Sequence, residues 1–150
     1  MSGTYPYSFE DFRADVKWRV RALNKQLRRS DAVWPGVLIL DTPQGLSARA
    51  FEIGSERERD RLAREVLPEQ IVIEEARRFC WVMPALRDGG KECLLLVFGE
   101  RGRVEASVAA VIRAREMPPR LGRYQDGAFQ AGARRVSGRF VEPLVAALED

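Results

Sequence analysis

The stretch ARRFCWVMPALRDGGKECLLLVFGERGRVEASVAAVIR, which runs from Ala76 to Arg113, predicts three consecutive β-strands. The first strand is predicted over 77–86 and the second over 92–98, and both are apolar at almost every position. Turns that contain glycine separate them from each other and from a third strand over 104–112. Because strands that are apolar on both faces have to be covered on both faces, we expect this meander to form the centre of a sheet.

The turn between the first two strands also predicts how they pair. A two-residue turn at Gly89-Gly90 places Cys80 opposite Gly99. The same pairing places Cys93 opposite Leu86. The two thiols are then too far apart for a disulfide, which needs Cα atoms about 4.4–6.8 Å apart. We therefore expect two buried thiols that pack as small apolar side chains.

Helices are predicted at both ends of the chain. Ser8 is a predicted N-cap for a first helix over 9–29. The apolar positions of this helix recur every three or four residues, at Phe9, Phe12, Val16, Val20, Leu23 and Leu27. A closing helix is predicted from the stripe Phe140, Val141, Leu144, Val145 and Leu148, with Pro143 tolerated in its first turn.

Between the first helix and the meander, the sequence predicts a hairpin and a charged helix. The hairpin covers 37–53 and turns at 41–45. Ser55 and Glu58 have capping-box spacing and begin a helix that reaches about Leu67, where Pro68 either kinks it or starts a new turn. Residues 69–75 combine strand-forming and helix-forming types, and their balance favours helix.

The predicted order of elements is therefore αββαβββα. It predicts a single α+β domain over 1–150, with a five-stranded antiparallel sheet and helices on its faces. A long flexible loop is expected at 117–138, where prolines and glycines replace any periodicity. The element order resembles that of the roadblock and profilin-like class. That resemblance implies a non-enzymatic protein that forms dimers or scaffolds its partners.

Several classes of chemistry are disfavoured by composition. The 150 residues include no histidine and two cysteines, so histidine-based nucleophile systems and most zinc sites are excluded. We expect no catalytic residues, no metal and no cofactor. Six carboxylates near predicted strand ends could serve acid–base or metal chemistry only if they converged, and nothing in the sequence specifies that: Asp41, Glu52, Glu74, Glu75, Asp88 and Glu92.

Location is predicted from two absences in the sequence. No run of about 18 apolar residues occurs, so no membrane association is expected. The first residues lack the basic and apolar regions of a secretion signal. The expected location is cytoplasmic.

The net charge of +3 raises the possibility of an anionic ligand. Arginines concentrate in the loop over 113–139, and the candidate anion-binding or nucleic-acid-binding residues there are Arg120, Arg123, Tyr124, Arg134 and Arg135. The same excess of arginine over lysine is typical of proteins from GC-rich genomes. Binding of phosphate or nucleic acid is therefore the alternative function.

Trp18 is the residue that departs from the pattern of the first helix. At about 100° per residue, it points away from the apolar stripe and towards Arg21 and Lys25. One interpretation is a contact surface for a second copy or another protein, made by these three residues with or without an exposed edge of the sheet. The other is that Tyr5, Tyr7 or the C-terminal segment covers Trp18. The function predicted first is an interaction or scaffold module that forms a homodimer or binds a protein partner.

Overall fold

The computed structural model describes residues 7–27, 33–86, 89–126 and 141–149. In chain order, its elements are α1 (Phe9–Asn24), β1 (Gly36–Thr42), β2 (Gly45–Phe51), α2 (Glu56–Arg61), a π-helical turn (Leu62–Val66), α3 (Leu67–Ile73), β3 (Arg78–Leu86), β4 (Glu92–Glu100), β5 (Arg103–Ile112), β6 (Arg120–Leu121), β7 (Gln125–Asp126) and α4 (Glu142–Leu148). The predicted α+β class with an antiparallel sheet is confirmed.

The described strands form one sheet in the order β2-β1-β3-β4-β5-β6, with β7 also paired to β5. Every pairing is antiparallel. The prediction of five strands is wrong, because β6 and β7 add two short strands within the segment expected to be a flexible loop. Strands of two residues are held by backbone hydrogen bonds and leave no side-chain periodicity in the sequence. The rest of that predicted loop, 127–138, lies outside the described residues.

Both faces of the central strands are covered, as the sequence predicted. On one face, the buried stripe of α1 packs on alternate residues of β1, β3 and β4. On the other face, the π-helical turn, α3 and α4 pack on the remaining alternate residues of the same strands. Phe98 lies on the face covered by α1 and Trp81 on the opposite face, and both side chains are fully buried. The sheet therefore has a helical layer on each side.

The predicted register of β3 and β4 is wrong by one residue. Cys80 lies opposite Phe98, and Cys93 lies opposite Ala85. The reason is that the connection spans the odd number of residues 87–91 instead of a two-residue turn, although Gly89 has the positive φ that a tight turn needs. Both cysteines are buried and neither forms a disulfide, as expected. Burial raises the pKa of the Cys80 thiol, which makes it unreactive.

Capping groups define the ends of α1. Ser8 accepts a hydrogen bond from the backbone of Asp11, whose carboxylate accepts one from the backbone N–H of Ser8. The helix ends at Asn24, earlier than predicted. The N–H groups of Gln26 and Leu27 bond to carbonyls three residues back, which tightens the chain out of the α-helical pattern.

The two prolines inside predicted helices are accommodated at helix starts. Pro68 lies in the first turn of α3 and Pro143 in the first turn of α4, where a missing N–H costs nothing. Residues 69–73 are helical, as the sequence favoured. Glu75 follows this helix with a φ of 54°, and the N–H groups of Glu75 and Ala76 close a Schellman motif on Val72 and Ile71.

Candidate functional site

The outward face of α1 is defined here as Asp11, Ala14, Trp18, Ala22 and Lys25. These residues are three, four or seven positions apart, so they share one side of the helix. That side lies opposite the stripe that packs on the sheet. Trp18 lies at the centre of this face, and 72% of the residue is exposed to solvent. Tyr7 does not cover it, since its hydroxyl bonds to the Asp15 carboxylate. Tyr5 and residues 127–140 lie outside the described residues.

Arg21, which the sequence placed beside Trp18, is directed towards the sheet. Its guanidinium donates to the carbonyl oxygens of Leu121 and Gly122, over 3.4 and 2.9 Å. It also lies 4.7 Å from the centre of the Tyr124 ring. Arg21 therefore holds β6 and the following residues against α1, while Lys25 stays exposed.

Three of the candidate anion-binding residues are described by the structure, namely Arg120, Arg123 and Tyr124. Tyr124 packs against α1 and its hydroxyl donates to the Lys17 carbonyl over 3.0 Å. Burial raises the pKa of Tyr124 to about 12, partly offset by the charge of Arg21. Arg120 and Arg123 are exposed, whereas Arg134 and Arg135 lie outside the described residues. The ring expected to stack on a base is therefore used to hold this segment against the helix.

Asp126 forms a charged cluster between α1, β5 and β7. Its carboxylate pairs with Lys17 over 2.7 Å and with Arg13 over 3.0 Å, and it accepts a hydrogen bond from Ser107. Partial burial of Asp126 raises its pKa. The pKa is lowered more strongly by hydrogen bonds from Lys17 and Ser107 and by the charge of Arg13. The pKa of Asp126 is held at about 2. The cluster fixes β7 on the helix.

A cleft lies beside the C-terminal end of α1. It is lined by Lys25, from the predicted partner-binding residues, and by Arg120, from the predicted anion-binding residues. Its volume is about 340 Å³, and the other lining residues are Asn24, Leu27, Met117, Pro118 and Pro119. Asn24 is buried and makes two hydrogen bonds, from Trp34 Nε1 to its Oδ1 over 3.0 Å and from its Nδ2 to the Pro119 carbonyl over 2.9 Å. This cleft could not be predicted from the sequence, because its two sides are almost a hundred residues apart in the chain.

Among the described residues, no three of the carboxylates near strand ends lie close enough together to hold a metal ion. Asp41 pairs with Arg78 over 2.7 Å, and the same guanidinium pairs with Glu100 over 2.8 Å. Glu74 accepts a hydrogen bond from Ser47 and Glu92 pairs with Arg113. Asp88 lies outside the described residues. The arrangement suits structural ion pairs at the ends of strands more than acid–base chemistry.

Comparison of the chain with protein-family models, with characterised proteins and with solved structures found no match. Within the ranges that the structure describes, no helix is both long enough and apolar enough to span a bilayer.

Proposed function

We propose that this chain is a non-enzymatic interaction module that pairs with a second copy of itself through the outward face of α1. The exposure of Trp18 at the centre of that face carries the proposal. The other two tryptophans, Trp34 and Trp81, are buried. An exposed tryptophan leaves a large apolar surface in water, and tryptophan is enriched among the residues that dominate binding energy at interfaces.

The arrangement of residues around Trp18 is self-complementary. Ala14 and Ala22 lie four residues before and after it, while Asp11 and Lys25 lie seven residues before and after it. Seven residues make almost two turns, so all five side chains fall within about 40° of one direction. An antiparallel pair of α1 helices around a two-fold axis brings Asp11 of each copy to Lys25 of the other. The small alanines leave room for both tryptophans.

The size of this face indicates how tight the contact is. A helix of 16 residues is about 24 Å long and about 10 Å wide, so its face is smaller than the roughly 800 Å² per partner of a standard interface. We therefore expect a weak dimer whose population depends on protein concentration, with a dissociation constant on the order of micromolar.

Sedimentation velocity over about 1–100 μM protein tests the proposal. Trp18→Ala should raise the dissociation constant by about tenfold or more without unfolding the chain, because alanine is a better helix former than tryptophan at an exposed position. Ile73→Ala is the matched control, since Ile73 is an exposed apolar residue on the opposite helical layer. Equal dimerisation by the wild type and Trp18→Ala would contradict the proposal.

The alternative function, binding of phosphate or nucleic acid, has less support. Its basic residues Arg120 and Arg123 are exposed and can contact phosphates, but the inward position of Tyr124 takes away the ring that would stack on a base. A strong loss of affinity with salt would be the expected signature of this alternative.

A further inference from the structure

We propose that the cleft beside the C-terminal end of α1 binds an acidic segment of a partner protein that also carries apolar side chains. The proposal is separate from pairing through the outward face of α1. Lys25 borders both surfaces, whereas Arg120 and the apolar walls belong to the cleft alone.

The charge of the cleft favours an anionic partner. Lys25 and Arg120 line it, and no acidic side chain is among its described lining residues. No carboxylate in the described part of the chain pairs with either cation. The segment that carries Arg120 is itself basic, because the chain from 113 to 123 contains four arginines and one glutamate. Complementary potentials of this kind guide an acidic partner to its site.

The walls of the cleft favour a peptide over a simple anion. Met117 is half exposed, and it forms an apolar wall with Leu27, Pro118 and Pro119. An inorganic phosphate would leave this apolar surface in water, whereas leucine-like side chains of a peptide would cover it. A single-stranded nucleic acid would gain little here, because Tyr124 packs on α1.

The cleft is also held in place before any partner arrives. Asn24 ties Pro119 to α1 on one side and Trp34 to α1 on the other. Because these bonds hold the walls of the cleft in place, the site loses little conformational entropy when a peptide binds.

Fluorescence anisotropy with a labelled synthetic peptide of about eight alternating glutamates and leucines tests this proposal at low ionic strength. Arg120→Glu should lower the affinity about tenfold or more. Arg123→Glu is the matched control, because Arg123 is an exposed arginine three residues away that does not line the cleft, and it should change the affinity less than about twofold. A peptide with glutamine in place of glutamate should bind more weakly than the acidic one.

The indole N–H signals in a nitrogen–proton correlation spectrum locate the peptide. Binding in the cleft should shift the signal of Trp34 and leave that of Trp18 unchanged. Equal losses for Arg120→Glu and Arg123→Glu would show a diffuse basic surface and overturn the proposal, as would equal binding of the glutamine peptide. A shift of Trp18 alone would also overturn it, because the peptide would then lie on the outward face of α1. Unchanged dimerisation of Arg120→Glu would separate this result from the proposed function.

Discussion

Trp34 donates its indole N–H to Oδ1 of Asn24 over 3.0 Å, and this bond ties the end of α1 to the segment that leads into β1. The amide of Asn24 donates in turn to the carbonyl of Pro119 over 2.9 Å. One buried side chain therefore joins the end of α1, the segment before β1 and the segment before β6. The same two bonds shape the wall of the cleft beside α1.

Replacing Asn24 by alanine should destabilise the fold by roughly 1–3 kcal/mol, because it leaves the Trp34 N–H and the Pro119 carbonyl without their partner in a buried place. Urea denaturation followed by tryptophan fluorescence measures this change. Gln26→Ala, an exposed substitution two residues away, should alter the free energy of unfolding by less than about 0.5 kcal/mol. An Asn24→Ala protein as stable as the wild type would show that these bonds contribute little.

Asp126 gives the fold a dependence on pH. The folded-state pKa of about 2 lies below the ordinary value of 3.8, so the carboxylate stabilises the folded chain above about pH 4. This contribution is lost as the pH falls from about 4 towards 2. It should be modest and sensitive to salt, because the side chain is half exposed. We expect wild type to be more stable than Asp126→Asn near pH 6 and the gap to close near pH 2; a gap independent of pH would contradict this.

Glu75→Gly should stabilise the protein by roughly 0.5–1 kcal/mol. Glu75 has a φ of 54° at the end of α3, a backbone conformation that glycine adopts without steric cost. Glu75→Ala removes the same carboxylate but keeps the unfavourable conformation, so it should bring no such gain. Thermal unfolding of the three proteins separates the two effects. A loss of stability in Glu75→Gly would mean that the side chain itself contributes to the fold.

The charge pairing proposed for the α1 dimer predicts a rescue. Lys25→Glu places a glutamate opposite Asp11 of the other copy, and this repulsion should weaken the dimer. Adding Asp11→Asn should restore part of the association, because the repulsion is removed while the amide oxygen can still accept the capping hydrogen bond from Ser8. Sedimentation velocity of the single and double variants measures both steps. A double variant no better than Lys25→Glu alone would exclude this pairing.

Features that depend on local sequence could be predicted. The cap at Ser8, the buried stripe of α1 and the starts of helices at Pro68 and Pro143 all follow from residues within one or two turns. The meander and its burial on both faces follow from long apolar runs. The outward direction of Trp18 follows from helical periodicity alone, although its role remains a prediction.

Features that depend on distant contacts were missed or wrong. The register of β3 and β4 depends on whether the connection has an odd or even number of residues, and the glycines alone do not specify that. The inward position of Arg21 depends on carbonyl groups of Leu121 and Gly122, about a hundred residues away in sequence. The cleft combines Lys25 with Arg120 and could not be found for the same reason.

Cysteine cross-linking tests the central claim, antiparallel pairing of α1 helices, most directly. Ala14→Cys and Ala22→Cys chains, once mixed under mild oxidation, should form a disulfide between the two variants faster than either variant forms one with itself. Cys80 and Cys93 are buried and should not compete. Ala50→Cys, at an exposed position on the outer strand β2, measures the rate of random collision. If Ala50→Cys cross-links faster than the mixture, the contact lies at the sheet edge. If the mixture of Ala14→Cys and Ala22→Cys cross-links no faster than Ala50→Cys, pairing through α1 is contradicted.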